Sequence, residues 1–181
     1  MREEHLLASL YDNWVFERWD TPVSDAQSLA LVSLTDVQGR LSIVLEDQRH
    51  PQRHRFQVDF TRYPGYRNLL EEYRLELWDA LAGTPDTGWT LLVVVSPWIA
   101  ELKQHESLLD VLYPDLKHYL ISTEDDVIEV LSDETPTIYP ITPARDAPPA
   151  GKSTVFYNPA DRVQIEQLYG DITRKQPPTN D

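Results

Sequence analysis

Residues 28–61, SLALVSLTDVQGRLSIVLEDQRHPQRHRFQVDFT, carry the clearest structural signal in this chain of 181 residues. Short runs rich in β-branched and apolar residues alternate there with polar turns, at 28–35, 40–46 and 54–61. Phe56, Val58 and Phe60 stand at every second position, so they share one face of a strand. Gly39 suits the left-handed position of a hairpin loop. The pattern predicts a three-stranded antiparallel meander.

Ahead of this meander, apolar residues recur at helical spacing. They are Leu6, Leu7, Leu10, Tyr11, Trp14, Val15 and Trp19. Because they are three or four residues apart, they predict an amphipathic N-terminal helix that ends before Pro22.

After the meander, the pattern changes between helix and strand. An apolar stripe predicts a helix over 66–81, and Gly83 provides its C-terminal stop. The nearly continuous apolar run at 89–95 predicts a strand buried on both faces. Residues 118–122 indicate one further strand.

A helix start is predicted between those two strands. Ser96 is a suitable N-cap residue, and Pro97 suits the first helical position because proline lacks the N–H that would remain unpaired there. Pro114 either ends this helix or kinks it.

Residues 124–132 support two interpretations. Thr123 and the acidic residues after it resemble a capping box, which favours a short helix. Val127, Ile128 and Val130 are β-branched and favour a hairpin that turns at 124–126 and continues as a strand. We favour the helix and retain the hairpin as the alternative.

These elements predict an α+β fold, with a mostly antiparallel sheet on which helices pack. We expect one domain over residues 1–140. Prolines mark a linker from residue 141 onward, and a helix begins near Asn158 and runs to about Tyr169. This last helix is expected to dock back, on its own chain or on a second copy.

Charge is distributed unevenly along the chain. Residues 76–140 hold 13 carboxylates against two lysines, a net charge of −11 within a total of −14. Residues 40–75 carry a net charge of +2. The sequence pI near 4.6 argues against binding to nucleic acid, because phosphates would be repelled.

The lack of cysteine and the shortness of the apolar runs exclude several kinds of protein. The chain has no cysteine, which excludes disulfides, thiolate zinc sites and cysteine nucleophiles and fits a cytoplasmic location. Its longest apolar run, 91–95, is far shorter than the roughly 20 residues that cross a bilayer, so we expect no membrane insertion.

Catalytic and cofactor motifs are not found. The six glycines are scattered singly, so no glycine-rich phosphate loop is present, and a Gly-x-Ser-x-Gly elbow is missing. His50 and His54 fall in a loop, and the spacing of Glu124, Asp125 and Asp126 does not match an EF-hand. We therefore assign no catalytic residue, cofactor or metal ligand from the sequence.

The acidic segment leads to a functional hypothesis: a small protein-binding module that recognises a basic protein. Its size and composition are similar to those of small bacterial immunity proteins that block basic toxins, a likeness of type that no motif carries. The candidate partner-binding residues are the acids of one segment and two tryptophans: Glu124, Asp125, Asp126, Glu129, Asp133, Glu134, Trp98 and Trp19.

Two alternatives remain open at this point. One is a small enzyme whose acid–base site combines carboxylates with His118. The other is a mimic of DNA, which would need carboxylates spaced like phosphates on one face. The sequence does not determine the oligomeric state.

Overall fold

Nine strands dominate the part of the chain that the computed structural model describes, residues 14–50, 53–84 and 87–142. The strands are β1 (Val15–Arg18), β2 (Leu29–Val37), β3 (Arg40–Asp47), β4 (Arg55–Phe60), β5 (Gly65–Leu70), β6 (Thr90–Val95), β7 (Lys117–Ser122), β8 (Asp126–Ser132) and β9 (Thr137–Ile141). The helices in these ranges are short: a 3-10 turn (Glu71–Tyr73), α1 (Leu75–Leu81), α2 (Pro97–His105) and α3 (Leu109–Leu112).

The strands form two antiparallel sheets. The first sheet has the order β1-β6-β7-β8-β5 and the second has the order β2-β3-β4-β9. The two sheets pack face to face. Leu41, Ile43 and Phe60 of the second sheet are buried in one cluster with Tyr119 and Ile128 of the first.

The other face of the first sheet is covered in part by α1. Leu77 of that helix is fully buried against Phe16, Leu91, Leu120 and Val127, which come from four neighbouring strands. β7 and β8 therefore lie between two layers, and every residue of β8 is buried. This position explains why β8 lacks the polar alternation of a strand that is exposed on one face.

The predicted meander is confirmed. β2 pairs with β3 and β3 pairs with β4, both antiparallel. Gln38 and Gly39 form the two-residue turn between β2 and β3, with φ of 52° and 77°. Both angles lie in the left-handed region, which a type I′ hairpin turn requires.

The predicted α+β class, with helices packed on a sheet, is wrong, since the structure is mostly two antiparallel sheets. The N-terminal helix was part of that prediction. Residues 1–13 lie outside the described part, but Val15–Arg18 forms a strand that pairs with β6. Phe16 is buried while Val15 and Glu17 are exposed. That alternation has a period of two, which the overlapping helical stripe obscured.

The predicted helix over 66–81 is also wrong in its first half. Gly65–Leu70 is strand β5, paired with β8 along its whole length, and the α-helix covers only Leu75–Leu81, after the 3-10 turn. For residues 124–132 the favoured helix is wrong and the hairpin is correct, because Asp126–Ser132 is strand β8 between β7 and β5.

Other local predictions are confirmed. Strands form at Thr90–Val95 and Lys117–Ser122, although the end of the first is exposed at Val94 and Val95. Ser96 caps α2 by accepting a hydrogen bond from the Ile99 amide at 3.1 Å. The prediction that Pro114 ends or kinks this helix is wrong, because the helix already ends at His105 and α3 follows before Pro114.

Strand β9 was not predicted. It contains Pro140, which the sequence suggested as the approach to a linker. Proline is tolerated there because β9 is at the edge of its sheet and bonds only to β4 among the described strands. The predicted C-terminal helix lies outside the described residues. So does the predicted linker, except for its first two positions, 141 and 142.

Candidate functional site

A buried ionic cluster lies on the face of the first sheet that points away from the second sheet. Its centre is Glu129, in the middle of β8 and fully buried. Arg67, directly opposite on β5, binds this carboxylate with both Nε and Nη2, at 2.7 and 2.8 Å. Arg74, at the start of α1, adds a contact of 2.8 Å from Nη1. Two cations therefore compensate one buried anion.

His118 connects the cluster to the start of α2. Its Nε2 lies 3.2 Å from Glu129 Oε1, in contact with the carboxylate but outside hydrogen-bond geometry. Its Nδ1 lies 2.9 Å from Ser96 Oγ. The Ser96 oxygen already accepts from the Ile99 amide, so its proton is available for Nδ1. With Nδ1 as the acceptor, a neutral imidazole carries its single N–H proton on Nε2, facing the carboxylate.

The environment shifts two titrations in this cluster. Burial lowers the pKa of His118, and this outweighs the opposite effect of Glu129. The imidazole is therefore neutral near pH 7. Burial alone would raise the pKa of Glu129, but contacts with His118 and Arg67 prevail and lower that pKa to about 2. The carboxylate thus stays ionised within the protein.

Ser96, His118 and Glu129 have the order of a serine–histidine–acid triad. Three features count against catalysis. Serine contacts Nδ1 and the acid contacts Nε2, the reverse of the protease arrangement. Ser96 is 8% exposed, and the other two are fully buried. Pro97 follows the serine and has no N–H to offer an oxyanion. The cluster is best explained as a structural network that joins β5, β7, β8, α1 and α2.

The sequence-predicted acids lie in different environments. Only Glu124 and Glu134 are exposed, and they lie beyond opposite ends of β8. Asp126 is buried and accepts a hydrogen bond from Asn68 Nδ2 at 3.2 Å. Asp125 is half-buried, and Asp133, with a side chain only 7% exposed, pairs with Arg62 at 3.1 Å. With Glu129 fully internal, these six acids do not form one continuous acidic surface.

The two predicted tryptophans are half-buried and have intramolecular partners. Trp19 meets the ring of Tyr119 edge-on at 4.9 Å, at the margin of the core between the sheets. Trp98 meets the imidazole of His118 edge-on at 5.5 Å and carries the guanidinium of Arg67 over its ring at 4.4 Å. Trp98 thus encloses the buried cluster.

A different surface presents both apolar and acidic groups to solvent. It runs from the C-terminal end of α2 along α3 and into the turn that follows α3. Leu108, Val111 and Leu112 are 62%, 74% and 55% exposed. The carboxylates of Glu106, Asp110 and Asp115 are exposed in the same ten residues. We call these six residues the α2–α3 surface.

Two sets of contacts hold this surface in place. Lys103 of α2 pairs with Asp110 of α3 at 2.7 Å. Arg62 donates from Nη2 to the carbonyl oxygen of Leu112 and lies over the ring of Tyr113, with 5.5 Å from Cζ to the centroid. The same guanidinium pairs with Asp133 at the end of β8. The first sheet therefore fixes the position of a segment that buries few side chains of its own.

Sequence reasoning missed the α2–α3 surface. The only local signal is a dense group of apolar residues around Asp110, which reads equally well as the buried stripe of a helix. In the structure α3 has only four residues and buries Leu109 alone. A helix of one turn has too little surface to bury every apolar side chain near it.

Comparisons with known proteins identify no family. No protein-family model matches the sequence, and searches of curated proteins and of solved structures find none that is significantly similar. In the described part of the chain, no group of three or more histidine, aspartate or glutamate side chains is arranged to hold a metal ion. No helix in that part is both long enough and apolar enough to pass through a lipid bilayer.

Proposed function

We propose that this protein is an acidic binding module that recognises a basic protein through the α2–α3 surface. The observation that carries the proposal is the exposure of Leu108, Val111 and Leu112 beside three exposed carboxylates. Large apolar side chains in the centre of a contact and polar groups at its rim are the usual anatomy of a protein–protein interface.

Charge supports a basic partner. The net charge of −14 creates a long-range field that accelerates encounter with a positive protein. Glu106 and Asp115 are exposed on this surface, where Lys or Arg of a partner could reach them. The apolar residues would supply most of the affinity, since exposed ion pairs each contribute about 0–1 kcal/mol.

The fixed conformation of the α2–α3 surface supports its role as the binding site. Arg62 and the pair between Lys103 and Asp110 fix the surface before any partner arrives. Binding therefore requires little ordering of loops, which otherwise weakens association. Proteins that block an enzyme commonly bind through such fixed surfaces. The lack of cysteine agrees with a cytoplasmic location, which this proposal includes.

The decisive experiment compares charge reversals that are equal in net charge. The double variants E106K/D115K and E124K/E134K both change the net charge by +4, at exposed positions. Each variant and the wild type is immobilised, basic proteins are captured from lysate, and the Kd of the best-enriched one is then measured with purified protein. The proposal predicts that E106K/D115K weakens binding by at least about tenfold more than E124K/E134K.

An apolar pair of variants tests the same surface without changing charge. Val111→Ser removes a side chain that is 74% exposed on the α2–α3 surface, and Val37→Ser removes one that is 63% exposed at the end of β2. Only V111S should weaken the complex. Equal effects within either pair of variants, or binding that does not respond to salt, would refute the proposal.

A second candidate function, acyl transfer by Ser96, is favoured by a single observation, the sequence of contacts from Ser96 through His118 to Glu129. A fluorophosphonate probe reacts with an activated serine hydroxyl. Labelling of the wild type that is absent in S96A would support this function. Lack of labelling at neutral pH would leave the structural role of the three residues as the explanation.

A further inference from the structure

The outer strands of the two sheets differ in how well their edges are protected against pairing with another strand. β1 has only four residues and a register shift next to Val15, β2 has a register shift between Leu31 and Ser33, and β9 contains Pro140. β5 has none of these features, since its six residues pair with β8 in unbroken register. Short strands, bulges and prolines are the usual means of preventing pairing at a sheet edge. Among the outer strands of the described structure, β5 is therefore the one with a regular edge.

The hydrogen bonds at the end of β5 show which of its backbone groups point outward. The Glu71 amide donates to the Asp125 carbonyl oxygen at 3.0 Å, one position beyond the ladder between β5 and β8. Because residues in an antiparallel ladder alternate between bonded and non-bonded pairs, the odd-numbered residues of β5 bond to β8. The N–H and C=O groups of Tyr66, Asn68 and Leu70 therefore point away from β8. Among the described strands, β5 pairs with β8 alone.

The side chains of β5 do not suit a basic partner. The strand contains no carboxylate, and its one charged residue, Arg67, binds Glu129 through Nε and Nη2. Leu69 lies on the same face as Arg67, two positions further along the strand, and is 39% exposed. A second copy of this chain would meet an equally uncharged and partly apolar strand. The chemistry of this edge therefore favours pairing with itself over recognition of a positively charged protein.

One register of self-pairing satisfies both the backbone and the side chains. Two copies of β5 can pair antiparallel about a twofold axis that is perpendicular to the sheet and centred at Asn68. The outward groups of Asn68 then bond to their counterparts, and Tyr66 bonds to Leu70 of the other copy. Arg67 of each copy lies opposite Leu69 of the other. A register centred at Arg67 would instead place two arginines directly opposite each other, which is unfavourable.

We propose that the edge of β5 is a homodimer interface, at which two copies of the chain join their five-stranded sheets into one continuous sheet. The exposed Leu69 of each copy is covered there by the aliphatic part of Arg67 of the other copy. Because a single pair of six-residue strands makes a small interface, the dimer should be weak, with a Kd of roughly 10–1,000 µM. This proposal goes beyond the proposed function and uses none of the residues of the α2–α3 surface.

A dilution series of the ¹⁵N-labelled full chain, followed by NMR from about 1 mM to about 20 µM, tests the pairing residue by residue. The amide signals of Tyr66, Asn68 and Leu70 should move with concentration along one saturable curve, because these amides gain a hydrogen bond in the dimer. The amides of Thr137 and Ile138 in β9, another outer strand, are the control and should not move. Sedimentation velocity over the same concentrations should show a monomer and a dimer in exchange.

Variants of opposite charge test the register. Leu69→Lys places a cation opposite Arg67 of the other copy and should raise the Kd of the dimer by at least about tenfold, whereas Leu69→Glu should leave it within about threefold or lower it. Net charge alone predicts the reverse order, since L69K reduces the repulsion between two acidic chains and L69E increases it. Val111→Lys and Val111→Glu, at an exposed position of the α2–α3 surface, are the matched controls and should leave the Kd within about twofold.

Several outcomes would overturn the proposal. A chain that stays monomeric at the highest concentration does not use this edge for a second copy. Slow hydrogen exchange of the Tyr66, Asn68 and Leu70 amides at the lowest concentration would mean that another part of the same chain covers the edge. Equal effects of L69K and L69E would exclude the register, and equal effects at positions 69 and 111 would exclude the edge of β5 as the specific contact.

Discussion

Replacing Glu129 with glutamine should destabilise the protein strongly, by about 3–5 kcal/mol. The substitution keeps the size of the side chain but removes the buried carboxylate that pairs with both Arg67 and Arg74. Arg74 is 4% exposed and Glu129 is fully buried. Breaking a buried ion pair by removing one partner typically costs this amount because the remaining charge is left without compensation.

The lowered pKa of Glu129 also indicates how much free energy of unfolding E129Q should lose. Its pKa is lowered from 4.5 to about 2. A depression of this size corresponds to about 3 kcal/mol in favour of the charged form in the folded state. Both figures reflect the same contacts of this carboxylate, chiefly with His118 and the arginines. For a chain of this length the loss should lower Tm by about 6–20 °C.

Urea-induced unfolding at pH 7, followed by tryptophan fluorescence, measures the change. Glu101→Gln is the matched control, because Glu101 is exposed on α2 and its replacement should change the free energy of unfolding by less than about 0.5 kcal/mol. Adding Arg74→Met to E129Q removes a buried cation that has lost its contact with the Glu129 carboxylate, so the double variant should be at least about 1 kcal/mol more stable than additivity predicts. A loss below about 1 kcal/mol for E129Q, or strict additivity in the double variant, would refute the account of the cluster.

Three further predictions concern other parts of the structure. Gly88→Ala should lower the free energy of unfolding by about 1–3 kcal/mol, because φ is +61° and a Cβ would lie 2.7 Å from a backbone oxygen. Gly83→Ala is the control in the same unfolding assay and should be nearly neutral, because the space around Gly83 is open. The free energy of unfolding should fall on acidification in two pH windows. The first begins at about pH 6.5, because the pKa of His118 is lowered in the folded state and the unfolded chain is therefore protonated first. The second runs from about pH 4.5 towards 2 and comes from the lowered pKa of Glu129 in the folded state, so E129Q should lack it. Ser96→Ala should cost about 0.5–2 kcal/mol by removing the cap of α2 and the hydroxyl next to the imidazole, and Ser96→Thr, which keeps the hydroxyl, should cost less; equal losses would show that the hydroxyl does not matter.

The sequence predicted elements that are decided by local chemistry. The alternation of Phe56, Val58 and Phe60, the left-handed turn at Gly39 and the cap at Ser96 all appear in the structure as expected. In each of these places the residues that determine the conformation are adjacent or nearly adjacent in the chain. No distant partner was needed to choose between helix and strand.

The turn at Thr123 shows how a correct local signal led to a wrong element. Its hydroxyl does accept a hydrogen bond from the Asp126 amide, at 2.9 Å, as a capping box would. However, the Thr123 amide also donates to the Asp126 carbonyl at 2.8 Å, which closes a hairpin between β7 and β8. A threonine side chain can satisfy the same amide at a helix start or in a turn. The strand is selected by its neighbours on both sides, which the sequence of this segment does not contain.

The ionic cluster could not be predicted for a related reason. Arg67 falls in a segment that reads as helix, and its partner Glu129 is 62 positions further along the chain. The two side chains meet only because β5 and β8 are paired in one register. The acid-rich pattern assigned Glu129 to the surface, since isolated carboxylates are rarely buried, whereas a carboxylate with two arginines can be.

Internal pairing also changes how the uneven charge of this chain should be interpreted. Six arginines of the segment 40–75 bind carboxylates: Arg40 with Asp59, Arg53 and Arg55 with Glu46, Arg62 with Asp133, and Arg67 and Arg74 with Glu129. Most of the positive charge is therefore directed at internal carboxylates and does not form a broad basic face.

The acids that remain exposed are thus less compensated than a count along the sequence suggests. This division separates two effects of salt. Pairs that exclude water are weakly screened, whereas exposed carboxylates are screened within a Debye length of about 8–10 Å. Raising the salt concentration should therefore weaken recognition of a basic partner at the α2–α3 surface while leaving the contribution of the Glu129 cluster to stability nearly unchanged. Loss of both together would mean that the cluster is open to solvent, and the assignment of structural and binding roles to separate sets of charges would fail.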